Sequence, residues 1–140
     1  MKPFDQELYD ADDNAKHLVI EYLATLGLQA RVNPDPYGID LLGDWFDKAY
    51  EIEVEVKHNW SGPSFPFNSL HYSARKLKFL NAHAEVRFIT LNDERTHAAI
   101  VTGEDLASCK IVEKKTKYTE AEKFLEVPID KVRWVSLASV

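Results

Sequence analysis

Cysteine is nearly absent from this 140-residue chain: Cys109 stands alone, so no internal disulfide can form. Without a Cys-rich or Cys/His pattern around it, it reads as a buried or incidental thiol and not as a nucleophile. The five histidines, at positions 17, 58, 71, 83 and 97, show no zinc-ligand spacing. The five glycines are scattered, which excludes a phosphate-cradling glycine loop, and no Gly-x-Ser-x-Gly elbow occurs. No apolar run approaches the ~20 residues of a membrane span. Met-Lys-Pro-Phe-Asp at the start turns acidic at once and has no apolar stretch behind it, so no secretory signal is expected and the setting is expected to be cytoplasmic. A basic excess is missing too. Lys and Arg number 17 against 23 Asp and Glu, for a net charge of −6. That argues against a non-specific nucleic-acid coat protein. It leaves open an enzyme that needs basic groups on one face only.

What is present is the composition of a globular domain, 45% hydrophobic and 29% charged. The length suits a single domain over 1–140, with no repeat or linker dividing it. Ala15, Leu18, Val19, Tyr22, Leu23 and Leu26 form a helical stripe from Asp12 to Leu26. Asp12, Asp13 and Asn14 are placed to cap its start, and Gly27 to end it. A turn cluster at 33–38 leads into a short strand, Ile39–Leu42. Ala49–Lys57 then alternates Ile52, Val54 and Val56 with Glu51, Glu53, Glu55 and Lys57, the period of a strand with one charged face. The two strands read as a hairpin. Residues 58–68 read as a loop with exposed-looking aromatics, and Ser69–Asn81 as a second helix. Strands are expected at Glu85–Leu91, His97–Val101, Lys110–Lys117 and Val132–Leu137, with one helical turn at Gly103–Ser108. The order helix, strand, strand, helix, strand, strand implies an α/β core with a mixed sheet.

A strand alternating valine with glutamate is often merely half-exposed, with solvated carboxylates. Three features point further. Lys57 lies two residues beyond Glu55, on the same face, so a carboxylate that can hold a divalent cation stands beside an ammonium that can steady a water or a phosphate. Asp40 interrupts the apolar run Ile39-Asp40-Leu41-Leu42, an expensive position unless the carboxylate is paired or ligates a metal. The hairpin also returns the chain so that Asp40 and Glu55 share one end of the sheet.

Asp40, then Glu55-Val56-Lys57 on a hydrophobic strand after an N-terminal helix, resembles the PD-(D/E)XK nuclease superfamily over about residues 12–80. The resemblance implies a restriction-endonuclease-like core: a central mixed β-sheet of four to five strands flanked by helices in αβββαβ order. It implies a metal-dependent endonuclease that hydrolyses phosphodiester bonds, DNA being favoured over RNA. Asp40 and Glu55 become metal ligands with the carbonyl of Val56, Lys57 the catalytic lysine, and Mg²⁺ the cofactor, with Mn²⁺ as substitute. Many members add an acid from the first helix, which Asp12 or Asp13 could supply; both are equally explained as helix caps. The literal Pro-Asp pair is Pro34-Asp35, inside a turn, whereas Asp40 follows Ile39. Glu53 shares the face of Glu55, as an extra ligand or a neighbour that tunes it.

Arg75 or Lys76 would meet the scissile phosphate, or form a solvated face. Trp60, Phe65 and Phe67, with His58 and His71, would stack on an unpaired base or cover the edge of the core. Lys114, Lys115 and Lys117 form the densest basic run, which is either a phosphate contact or ordinary surface. A homodimer would provide enough surface for a duplex. The alternatives are an inactive nuclease-fold module that binds nucleic acid, and an acidic protein-interaction domain.

Overall fold

The computed structural model describes residues 6–80, 82–115 and 121–137, with side chains from residue 13 onward. The first helix, α1 (Gln6–Thr25), starts six residues before Asp12. Gln6, Glu7 and Leu8 are favourable helix formers and extend it upstream. Asp12, Asp13 and Asn14 therefore lie within the helix and do not cap it. Its C-terminus is as expected: Gly27, at φ +90°, lets the N–H of Leu28 bond Leu23 O and its own N–H bond Ala24 O, the paired closure of a Schellman end.

Six strands form the main sheet in the order β1 (Gln29–Val32), β2 (Leu41–Trp45), β3 (Lys48–Val56), β5 (Glu85–Leu91), β6 (His97–Thr102) and β9 (Arg133–Ser136). Every neighbour pair is antiparallel except β3 and β5, so the sheet is mixed. Alternation along β3 sends Ile52, Val54 and Val56 to the face covered by Ala15, Val19 and Leu23 of α1. Full burial of a valine or isoleucine, as at Val19 and Ile52, stabilises the fold by roughly 1.5–3 kcal/mol, while Val56 is only partly buried. A short helix, α2 (Gly103–Ala107), is capped by the Thr102 hydroxyl, which accepts from Asp105 N at 3.0 Å.

The second helix expected at 69–81 is not formed. Ser69–Ser73 is a strand, β4, followed by a 3-10 segment at Ala74–Phe79. Leu70 and Tyr72 are buried two residues apart, and the backbone of β4 pairs with β8 (Glu122–Pro128), itself paired with β7 (Lys110–Lys114). This three-stranded sheet packs on the main sheet opposite α1, where Leu70, Tyr72 and Leu125 meet Phe88 and Val101. Three strands, β1, β4 and β8, add to those expected, and the main sheet has six strands where four to five were expected. The expected strand at Lys110–Lys117 ends at Lys114, and Lys117 lies outside the described residues.

Candidate active site

The β2–β3 register sets the site. Leu41 pairs with Ile52, so Asp40, one residue before β2, arrives beside Glu53 near the far end of β3. The Asp40 Oδ2 atom accepts from the Val54 backbone N–H at 2.8 Å, and Glu53 Oε1 accepts from the Asp40 N–H at 3.3 Å. These two bonds lock the aspartate to the strand that carries Glu55 and ends at Val56, one residue short of the expected Lys57. Asp35, the aspartate of the literal Pro-Asp pair, accepts instead from Tyr37 N at 3.0 Å within its own turn.

Glu53, Glu55 and Lys57 alternate onto the face turned away from α1. There the two sheets leave between them an open cleft of about 860 Å³, lined by Asp40, Glu53, Glu55, Val56 and Lys57. His58, His71, Arg75, Lys76, Lys78 and Lys114 stand around the same cleft. The aspartate at position 40 is thus gathered with the Glu-x-Lys pair. Among the described residues no three His, Cys, Asp or Glu side chains form a complete metal cage. Asp40 and Glu55 supply hard oxygen donors, which suits Mg²⁺, a cation commonly held by one or two carboxylates and several waters.

Two lysines compensate this negative charge. Lys16 of α1 reaches Asp40 Oδ1 at 3.4 Å, and Lys76 stands 2.6 Å from Glu53 Oε2 and 4.0 Å from Glu55 Oε2. Burial, with Asp40 beside it, pushes the Glu53 carboxyl up to about 7, against the pull of Lys76. Burial works against the charge on Lys76, but Glu53, Glu55 and Asp40 outweigh it and hold its pKa above the ordinary lysine value. The two shifts compete across one short contact, in which the Lys76 ammonium donates to Glu53 Oε2 at 2.6 Å. Lys57 differs. Burial lowers its pKa, Glu55 opposes that, and Lys114 adds to the lowering.

The surrounding wall is built from β4 and β7. Lys114 Nζ donates to His71 Nδ1 at 2.5 Å, which requires a neutral ring with its proton on Nε2, facing Glu126 Oε2 at 3.3 Å and Ser69 Oγ at 3.1 Å. Beyond β3 the chain is pinned: Asp93 N bonds Trp60 O at 2.7 Å, and His58 Nδ1 pairs with Asp93 Oδ1 at 2.9 Å. The fully buried Asn92 amide supports this turn, donating to Gly62 O and Thr96 Oγ1, both at 3.0 Å.

Several expected roles change in three dimensions. Trp60 is 0% exposed, packed edge-on against Phe65 and Trp134, so it covers the core and cannot stack on a base. Of the three loop aromatics, Phe67 is the exposed one, and Lys57 Nζ lies 5.2 Å from its ring centre. Arg75 lines the cleft but pairs with Glu122 at 2.6 Å. Lys76 faces carboxylates and not open solvent. Asp13 is exposed on α1, three residues before Lys16, while the Asp12 side chain lies outside those described. Sequence reasoning missed Lys16, although it follows Asp12 by one helical turn. It also left Lys114 undecided, and only its place on β7 brings it to the cleft.

No protein-family model matches the sequence, and no curated protein does. The fold is similar to that of a solved structure, Hjc, a Holliday junction resolvase of the archaeal hyperthermophile Archaeoglobus fulgidus. The TM-score is 0.53, at 12% identity, over 85% of this chain and 92% of that one. Among the described residues no helix is long and apolar enough to cross a membrane. With its mixed sheet, α1 on one face and the antiparallel β2–β3 hairpin, the chain has a PD-(D/E)XK nuclease-like fold.

Proposed function

We propose that this protein is a metal-dependent endonuclease that hydrolyses phosphodiester bonds in DNA through Asp40, Glu55 and Lys57. The observation that supports it best is that Asp40, from outside the Glu-x-Lys strand, is bonded to that strand and shares its cleft. Asp40, Glu55 and the carbonyl of Val56 would hold a Mg²⁺ ion, for which Mn²⁺ can substitute. The bound cation would polarise the phosphate and lower the pKa of a coordinated water. Lys57, half-buried at the end of β3, holds the attacking water in line and offsets charge growing on the phosphoryl oxygens. Cleft-wall cations, Lys78 and Lys114 among them, receive the flanking phosphates. The resolvase fold favours DNA as substrate, two copies acting on a duplex, and the chain as one domain.

A nicking assay with Mg²⁺ or Mn²⁺ on plasmid, four-way-junction and single-stranded DNA tests this. The wild type cleaves at least one of them, and Lys57→Ala and Asp40→Asn each lose about 10²-fold or more of that rate. Equal rates for wild type and Lys57→Ala would remove the enzymatic reading. A protein that binds DNA yet cleaves none of these substrates would be an inactive nuclease-fold module.

A further inference from the structure

Lys76 is the side chain whose observed place differs most from its expected one. It lies on the 3-10 segment after β4, on the far wall of the cleft, yet its ammonium crosses to the carboxylates of β3. It sits 2.6 Å from Glu53 Oε2 and 4.0 Å from Glu55 Oε2, with a quarter of its side chain exposed. Of its neighbours on the same segment, Arg75 turns out to Glu122, and Lys78 lies 5.0 Å from the centre of the Phe79 ring, which Lys76 also approaches at 5.9 Å.

Glu53 is 7% exposed, and an ionised carboxylate at that depth requires a partner. Asp40 adds a second charge close by, bonded through its backbone N–H to the same Glu53 carboxylate, and Glu55 a third. Lys16 meets Asp40 from α1 at 3.4 Å, so within the cleft the Glu53 and Glu55 carboxylates are left to a single tethered cation, Lys76.

We propose that Lys76 is an internal counter-ion that occupies the carboxylate site of the metal-free protein and must be displaced when a divalent cation binds. This rests on the reading of Asp40 and Glu55 as metal ligands and adds a regulation of that site. Metal affinity is then set by competition: the cation gains Glu55 only as the ammonium withdraws from it. The displaced Lys76 remains on the cleft wall, one residue from Arg75, where a substrate phosphate can receive it. Metal loading and substrate binding thereby reinforce each other. Together with Lys16 at Asp40, the arrangement also lets the three carboxylates coexist before any metal arrives.

Calorimetric titration with Mn²⁺ alone, without nucleic acid, tests this. Lys76→Met binds Mn²⁺ more tightly than wild type by about tenfold, the size of one lost charge-assisted hydrogen bond. Lys78→Met removes the same charge two residues away and changes the affinity by no more than about twofold. Without metal, Lys76→Met melts below wild type, because Glu53 is left unpaired, and Mn²⁺ raises its melting temperature more than it raises that of wild type. Equal gains for the two variants would reduce the effect to general charge and overturn the proposal, as would unchanged or weaker binding by Lys76→Met. If that variant does not fold, Glu53→Gln is compared with Glu53→Gln/Lys76→Met, which leaves no buried charge unpaired; the double variant binds Mn²⁺ more tightly, and equality refutes displacement. Mn²⁺ binding by wild type that is lost in Asp40→Asn, combined with no gain in the Lys76 variants, sinks this inference alone. No binding by wild type sinks the underlying metal site with it.

Discussion

At the scale of single residues, the cleft depends on which charges are paired and which are kept neutral. His71 is one of the neutral groups. Burial lowers its pKa, Lys114 and Lys57 lower it further, and Glu126 opposes them. A histidine whose folded pKa lies below its ordinary value near 6.5 contributes stability that is complete above that value and is lost as pH falls through the folded one. Protonation would set an imidazolium against Lys114, which now donates to its Nδ1. The stability gap between wild type and His71→Gln, read from melting curves, should therefore narrow from pH 7 to pH 5. A gap independent of pH would show that His71 does not titrate in this way. Asp40, Glu55 and Lys57 were legible in the sequence because two share one alternating strand and the third breaks an apolar run. Lys16 was not, and His71 and Lys114 were visible only as candidates without a settled role, since those roles exist only where α1, β4 and β7 meet the end of β3. Lys76 was visible as a cation, but its partner Glu53 stands 23 residues away in the chain.

Among the elements, β3 shows local pattern and tertiary structure in agreement, and β4 shows them in conflict. Leu70, Ala74, Leu77 and Leu80 have helical spacing, while Leu70 and Tyr72 have strand spacing, so residues 69–80 suit both periods. Pairing with β8 decides for the strand, and the Tyr72 hydroxyl, hydrogen-bonded at 2.6 Å to Thr90 Oγ1 on β5, anchors it. Burial separates the two periods experimentally. Leu70 is fully enclosed, whereas Leu77 is only partly buried against the same core. Leu70→Ala should cost about 2–5 kcal/mol and Leu77→Ala distinctly less, measured by chemical denaturation. Equal costs would fit one continuous helical face and contradict the strand. β1 escaped detection because it is a four-residue edge strand with no buried residue and hence no apolar period. β8 did carry a signal, Leu125 and Val127 two apart, but it is short and interrupted by charge.

Over the whole molecule, the fold would reconcile a net charge of −6 with the DNA substrate proposed above. The two sheets collect Lys57, Arg75, Lys76, Lys78 and Lys114 around four carboxylates, so the cleft lining is basic although the molecule is acidic. Composition alone cannot reveal this, because the basic residues come from the position just after β3, the 3-10 segment and β7. The α/β class, the mixed sheet and the β2–β3 hairpin were legible; the second sheet, which forms the opposite wall, was not. The central claim is that Asp40 and Glu55 converge on one cation with Lys57 beside it. The most direct measurement is the anomalous signal from a crystal soaked in Mn²⁺. A single strong peak between the carboxylates of residues 40 and 55, with the Lys57 ammonium next to its waters and Lys76 withdrawn, is the predicted result. Carboxylates left as they are, with manganese bound elsewhere or not at all, would contradict it.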